Sequence, residues 1–342
     1  MISSSVIIQL FVTRTVTIDQ KHRQSMNIVQ IGVLASIFIS ITEGGVKEDY
    51  QNCLSIDDQC EQQICVVKVQ RESMLYPVSG DIATGQTEAL FFDPNVTGRI
   101  TPTGKWTGRS INVEYLYGLT YGSDLTGGFS ITKNVPIYYL CKGNWVSFRG
   151  DMLWGYTGDK AAALTNDCAD GFNLTMTGIM QFNKDGTQIT GYDLAIPWIR
   201  FFFEKINDCT ANSFTFTNKT NDIPILCGAH QQLCIDGNSQ FENPEKCAEF
   251  MNSIPFGDVS STMSYNTVVC RELHLLFTTF APDIHCPHLG NGSAVCVDRG
   301  YNWWYDWNLE YVDYETSSGS KTRCCSYGNI IIISIALLMM FV

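Results

Sequence analysis

Apolar and polar residues alternate with a period of two through the middle of the chain, which is typical of half-buried β-strands. The alternation is clearest over residues 145–156, and an Asn-Lys-Asp-Gly turn at 183–186 joins two further alternating runs. This pattern predicts an antiparallel sheet. The predicted strands cover residues 129–132, 135–141, 145–156, 174–182 and 187–193.

After residue 222 the apolar pattern takes the helical period. Asp222 and Asn243 each precede a helix start with an early proline, and a third helix is predicted over about 267–280. These short helices carry cysteines on their apolar faces, so residues 223–311 are predicted to form a small helical module stapled by disulfides. A polar stretch, 206–222, is predicted to link it to the preceding sheet.

Fourteen cysteines are many for 342 residues. Cys324 and Cys325 lie just before the apolar C-terminal tail, and the other twelve predict up to six disulfides in an oxidising compartment. Their spacing lacks paired C-x-x-C knuckles, which argues against a structural zinc site, and it leaves the connectivity open. The twelve are Cys53, Cys60, Cys65, Cys141, Cys168, Cys209, Cys227, Cys234, Cys247, Cys270, Cys286 and Cys296.

The two ends of the chain are predicted to be targeting segments. A basic flank and a short apolar run indicate a signal peptide over 1–42, with Met26 as an alternative start. Small residues at 317–320, a polar spacer and an uncharged tail indicate a glycosylphosphatidylinositol signal, with the lipid on Ser318 and residues 321–342 removed. The alternative is a short membrane span. Residues 43–74 would be a cysteine-rich entry segment with one helix, over 57–66. Residues 312–320 would be a stalk, and the protein would lie at the outer face of the plasma membrane.

Four N-x-Ser/Thr sequons fit this location and predict N-linked glycans on the surface. The net charge of −12 favours solubility and makes nucleic acid a poor partner. The acceptor residues are Asn95, Asn173, Asn218 and Asn291.

Two segments resemble the SnoaL-like or NTF2-like superfamily: "FFDPNVTGRITPTGKWTGRSINVEYLYGL" and "GIMQFNKDGTQITGYDLAIPWI". The first is similar to the early strand and helix of that family, and the second to its closing hairpin. The resemblance covers about residues 75–200 and implies an α+β cone, assigned to residues 75–205, in which a curved antiparallel sheet and helices enclose a pocket. The segment "VVCRELHLLFTTFAPDIHCPHLGNGSAVC" is similar to uncharacterised secreted proteins of fungi and protists, which implies no activity.

The resemblance also implies candidate acid–base residues in the pocket, because a carboxylate in apolar surroundings has a raised pKa. The candidates are Asp93 and Asp193, with Tyr192 and Tyr156 beside them. A structural interpretation competes with this one: Asp93 precedes a proline, as turn residues do, and Asp193 ends a strand.

Three of the five histidines fall between residues 274 and 288. His285 and His288 are candidate ligands for zinc or copper. Against this, Cys286 between them is predicted to be in a disulfide, and His274 to pack within its helix.

An aromatic run at 301–311, which includes Trp303 and Trp304, predicts either a closing strand packed on the body or a binding patch. Altogether the sequence predicts a non-enzymatic cell-surface glycoprotein, without a cofactor, that binds a ligand or self-assembles as a coat or filament subunit. Its partners would be the membrane, through the anchor, and copies of itself. The alternative is an extracellular enzyme or small-molecule binder that uses the pocket of the cone.

Overall fold

A mixed β-sheet of six strands organises the first half of the structure. Strands β1 and β6 are parallel, and every other neighbouring pair is antiparallel. The order across the sheet is β2-β1-β6-β5-β4-β3. The strands are β1 Phe92–Thr101, β2 Gly104–Thr107, β3 Phe129–Lys142, β4 Trp145–Tyr156, β5 Phe172–Phe182 and β6 Ile189–Ala195.

The computed structural model describes residues 45–120, 128–157, 168, 170–209, 218–260, 265–300 and 303. All of them belong to one compact unit, Ile39–Val342. Within these ranges, no helix has both the length and the apolar character needed to traverse a lipid bilayer.

Four helical segments complete the cone: α1 Gly45–Leu54, α2 Gln59–Ser73 and α3 Val78–Ala83 before the sheet, and α4 Arg109–Val113, which continues into a π-helical turn, Glu114–Gly118. The sequence predicted a separate cysteine-rich segment over 43–74 with one helix. Instead this region supplies α1 and α2 to the core of the cone, because apolar side chains of both helices are buried there.

Five further helices are described after the sheet: α5 Ile199–Cys209, α6 Lys219–Leu233, α7 Pro244–Ser253, α8 Val268–Phe277 and α9 Pro282–Leu289. The predicted linker is therefore partly helical at both ends. Side-chain caps begin three of them, on Asn218, Asn243 and Thr267, because each cap oxygen accepts a backbone N–H of the first turn.

Buried apolar residues form two clusters, one inside the cone and one among α6 to α9. Tyr115 and Ile199, which precede the helical module in sequence, belong to the second cluster. The structure thus confirms the predicted fold class, an α+β NTF2-like cone followed by a small disulfide-stapled helical module.

All twelve predicted cysteines are paired. Two bridges hold the N-terminal helices to each other and to β3, and three lie within the helical module. The pairs are Cys53–Cys65, Cys60–Cys141, Cys168–Cys209, Cys227–Cys247, Cys234–Cys286 and Cys270–Cys296.

Candidate functional site

The cone contains an apolar cavity of about 80 Å³ between the sheet and helix α5. Its wall combines aromatic rings with three methionines, and none of the described lining residues carries a carboxyl group. The lining residues are Met74, Ile100, Thr103, Tyr115, Leu116, Leu119, Thr120, Met152, Trp154, Leu174, Met176, Ile196, Ile199, Phe202, Phe203, Ile206 and Leu276.

Neither candidate acid lines this cavity. Asp93 accepts a hydrogen bond of 2.8 Å from the backbone N–H of Asn95, the contact of an aspartate that closes a turn. Asp193 lies opposite Arg99 in the register of β6 and β1 and pairs with its guanidinium through both oxygens. The structure therefore gives both carboxylates structural partners.

Tyr192 is fully buried, and its hydroxyl donates a hydrogen bond of 2.6 Å to Oδ1 of Asn112. Burial raises the pKa of Tyr192 well above its usual value. Asn112 in turn donates to the carbonyl oxygens of Val96 and Gly108, so the tyrosine belongs to a network that holds α4 against β1. Tyr156, the other tyrosine predicted to lie near the candidate acids, also does not line the cavity.

Three histidines of the helical module converge instead. His274 lies on α8, and His285 and His288 lie on one face of α9, three residues apart. Nδ1 of His274 is 3.1 Å from Nδ1 of His285 and 3.2 Å from Nδ1 of His288. The ligand atoms of all three rings lie within 4.8 Å of one another.

Glu114, on the π-helical turn of the cone, completes this histidine cluster. Its Oε1 lies 2.6 Å from Nε2 of His285, whose side chain is fully buried. A carboxylate only accepts hydrogen bonds, so Nε2 of His285 must carry a hydrogen. In the neutral ring, Nδ1 then presents its lone pair to the other two histidines.

Burial also lowers the pKa values of His274 and His288. It lowers the pKa of His274 well below the usual value, and the nearby His288, His285 and Arg271 act in the same direction. Burial, followed by the charge of His285, lowers the pKa of His288 to about 4. Both imidazoles are therefore uncharged at neutral pH and keep a free lone pair.

A second pocket reaches the histidine cluster from the surface. It has a volume of about 360 Å³, and His274 and His288 lie in its wall with Trp106 and Tyr115. Lys105 and Arg299 also line this pocket, so its rim is cationic. Lys105 lies 4.9 Å and Arg299 4.1 Å from the ring centre of Trp303. The rest of the predicted aromatic run, with Trp304, falls outside the described residues.

The sequence thus pointed to His285 and His288 but not to their partners. His274 was predicted to pack within its helix, and Glu114 was not considered. The one local signal was that His274 and His285 are 11 residues apart in sequence. A tight turn between two helices brings residues at this separation into contact. Glu114 is 171 residues from His285, and no local signal could have found it.

The predicted modification sites are placed as follows. Asn95, Asn173, Asn218 and Asn291 are all exposed, and Asn218 also caps α6. Exposure is what a glycan needs, and occupancy of these sites stays a prediction. The signal peptide, Ser318 and the C-terminal tail lie outside the described residues.

Comparison with known proteins relates the chain to fungal biosynthesis proteins. Residues 201–299, which contain all three histidines, match the model of the BfoA family C-terminal domain. The chain is 28% identical over 242 residues to bifonsecin B biosynthesis cluster protein A of Aspergillus brasiliensis, covering 66% of this chain and 76% of that protein. It is 29% identical to aurasperone B biosynthesis cluster protein A of Aspergillus niger, covering 66% and 74%.

Among solved structures, the chain is similar to an LEH-like epoxide hydrolase of M. tuberculosis, with 8% identity and a TM-score of 0.30 over 42% of this chain and 90% of that one. It is also similar to an NTF2-like protein of Mesorhizobium loti, with 12% identity and a TM-score of 0.28 over 41% and 95%. These are loose matches of overall shape and carry no statement about activity.

Proposed function

We propose that this protein binds an apolar small molecule inside the cone. The observation that carries the proposal is the cavity itself, which has an almost wholly apolar wall. Only Thr103, Thr120 and Tyr115 bring hydroxyl groups to it. Pockets that hold small molecules combine an apolar wall with a few polar groups that orient the ligand.

The wall favours a flat, aromatic ligand. Phe202 makes edge-to-face contacts with Trp154 and Phe203, at centroid distances of 4.6 Å and 5.3 Å, and all three rings line the cavity. A further ring can join such a cluster with the same geometry.

The cavity is smaller than the roughly 300–1,000 Å³ of most ligand sites. Met74, Met152 and Met176 are part of its wall. Methionine is unbranched and adapts its shape readily, so a ligand larger than one ring is accommodated when these side chains repack.

Binding rather than catalysis is supported because no described lining residue is an acid, a histidine or a lysine. The relatives' names place them in gene clusters for the biosynthesis of bifonsecin B and aurasperone B. By analogy, the ligand is an intermediate or product of a secondary-metabolite pathway.

The proposal keeps the predicted location, a glycosylated protein held by a lipid at the outer face of the plasma membrane. The six disulfides support an oxidising compartment. Self-assembly remains the rival function, favoured by the exposed apolar side chains of β3.

The cavity is tested with 2-naphthol as a fluorescent probe and with mass spectrometry of organic extracts of the native protein. We expect one 2-naphthol bound per chain, and about tenfold weaker binding after Leu174→Trp fills the cavity, which corresponds to a loss of about 1.4 kcal/mol. Ile235→Trp, at a position that is 55% exposed in the helical module, is the matched control and leaves binding unchanged.

Equal binding by the wild type and Leu174→Trp, in variants with native circular dichroism, would show that the probe binds elsewhere. Native protein that carries no small molecule and binds no probe would remove the proposal and favour the self-assembling subunit.

A further inference from the structure

The histidine cluster contains a hydrogen-bonding conflict. Nδ1 of His274 has two nitrogen neighbours, and both are ring nitrogens of other histidines. A ring nitrogen carries either one hydrogen or one lone pair, so it makes at most one well-aligned hydrogen bond. One of the two short contacts therefore lacks a satisfactory hydrogen bond, inside a buried site where an unmet polar contact is costly.

His285 deepens the conflict. Its Nε2 hydrogen is committed to Glu114, and in the tautomer with hydrogen on Nε2 alone, Nδ1 offers only a lone pair toward His274. A histidine whose outer nitrogen donates to a carboxylate while its inner nitrogen faces other histidines has the arrangement found at metal centres.

We infer that His274, His285 and His288 bind one zinc ion through their Nδ1 atoms, in a site distinct from the cone cavity. Zn–N bonds of about 2.0–2.1 Å in tetrahedral geometry place neighbouring nitrogens about 3.3 Å apart. The two contacts of 3.1 Å and 3.2 Å are close to that separation. A cation between the three rings satisfies all three lone pairs at once.

Disulfides hold the two ligand-bearing helices in place. Cys270 lies one turn before His274 on α8 and pairs with Cys296, and Cys286 follows His285 on α9 and pairs with Cys234. These bridges remove the thiolates from the ligand set and fix the backbone that carries the imidazoles. Such rigidity favours a site that is formed before the metal arrives.

The fourth coordination position faces the surface pocket, since His274 and His288 both lie in its wall. Three histidines with an accessible fourth position are the arrangement of zinc sites that bind water or a substrate, whereas structural zinc has four protein ligands. The cationic rim formed by Lys105 and Arg299 suits an anionic or oxygen-bearing ligand at that position.

The test uses the full secreted chain, purified without a histidine tag, stripped with a chelator and titrated with Zn²⁺ and Co²⁺. We expect one equivalent of either metal and the strong visible absorption of tetrahedral Co²⁺. Azide added to the Co²⁺ protein shifts that spectrum, because the fourth position is exchangeable.

His288→Ala removes the ligand that is only partly buried, and we expect it to abolish the tetrahedral spectrum. Glu114→Gln keeps all three ligands but loses the carboxylate behind His285, so the Kd for Zn²⁺ rises about 10- to 100-fold. The matched control is His230→Gln, which changes a buried histidine of the same module outside the cluster.

Wild-type protein that binds less than one equivalent, or binds Co²⁺ without a tetrahedral spectrum, would overturn the zinc site. So would His288→Ala protein that binds like the wild type. If His288→Ala fails to fold, Glu114→Gln decides, because an unchanged Kd there contradicts the assigned geometry. An unresponsive spectrum with azide would overturn the open fourth position.

Discussion

At the scale of single residues, Tyr192 shows why a tyrosine in a pocket-forming fold need not act on a ligand. Its ring packs against Gly98 so closely that a Cβ atom at that glycine would lie 2.1 Å from Cζ of Tyr192 and from Oδ1 of Asn112. Glycine is therefore required in β1 at this point. The space it leaves lets the tyrosine hydroxyl reach Asn112.

Tyr192→Phe tests this structural role. We expect unfolding to become easier by about 1–3 kcal/mol, because the buried Oδ1 of Asn112 loses its hydrogen-bond donor. Binding of 2-naphthol should not change, since Tyr192 does not line the cavity. Urea denaturation and probe titration measure the two effects.

Tyr138→Phe, at an exposed position of β3, serves as the control and should alter neither quantity. A Tyr192→Phe protein of wild-type stability that no longer binds the probe would show that Tyr192 acts on the ligand and has no structural role.

At the scale of elements, strands were easier to predict than helices. The period-two pattern located β4 at its observed bounds, because alternate residues face the core. The helix predicted over 57–66 ends before the observed α2, Gln59–Ser73, because the buried face of α2 includes Gln62, Gln63 and Arg71, which hide the apolar period. Helix α5 was not predicted, although Ile199, Phe202, Phe203 and Ile206 repeat at the helical spacing and line the cavity.

The cavity and the histidine cluster show a different limit. The sequence predicted which cysteines form disulfides and identified two of the three clustered histidines. It could not predict the pairing of Cys60 with Cys141, which spans 81 residues and depends on the docking of α2 on β3. Contacts of this kind depend on how elements pack, and local periodicity does not encode packing partners.

The side chain of His230 on α6 accepts a hydrogen bond from the loop that follows this helix. The side chain is buried, and Nε2 accepts a hydrogen bond of 3.1 Å from the backbone N–H of Gln240. Burial lowers the pKa of His230 below 6.5. The unfolded chain therefore binds this proton more tightly, so His230 contributes stability above about pH 6.5 that is lost as the pH falls through the lower folded pKa.

His230→Gln should weaken this acid sensitivity, because the glutamine oxygen can accept the same N–H without titrating. Between about pH 7.5 and about pH 5, we expect the variant to lose less stability than the wild type. Urea unfolding in the presence of a chelator gives the comparison without any contribution from bound metal. Parallel losses in both proteins would show that His230 does not titrate in this range.

At the scale of the whole molecule, β3 is the outer strand at one side of the sheet and carries exposed apolar side chains. Val135, Ile137, Tyr138 and Leu140 are between 38% and 64% exposed. An edge strand with unpaired backbone groups and an apolar surface is a natural site of association between chains. This surface is the observation that favours self-association.

One measurement tests both location and assembly: the native mass of protein released from intact cells by a phosphatidylinositol-specific phospholipase. Because the anchor is predicted to be a lipid, we expect the lipase to release the protein. Because the surface of β3 is apolar, we expect the released particle to be larger than one glycosylated chain. Ile137→Lys with Leu140→Lys should reduce it to a single chain, because charges on an edge strand oppose pairing. The same pair of lysines placed at Ile235 and Ile284, which are equally exposed in the helical module, should leave the mass unchanged. Protein that stays on the cells after lipase treatment would contradict the anchor. A released single chain would show that β3 has no role in assembly, and small-molecule binding would then be the one proposed function that remains.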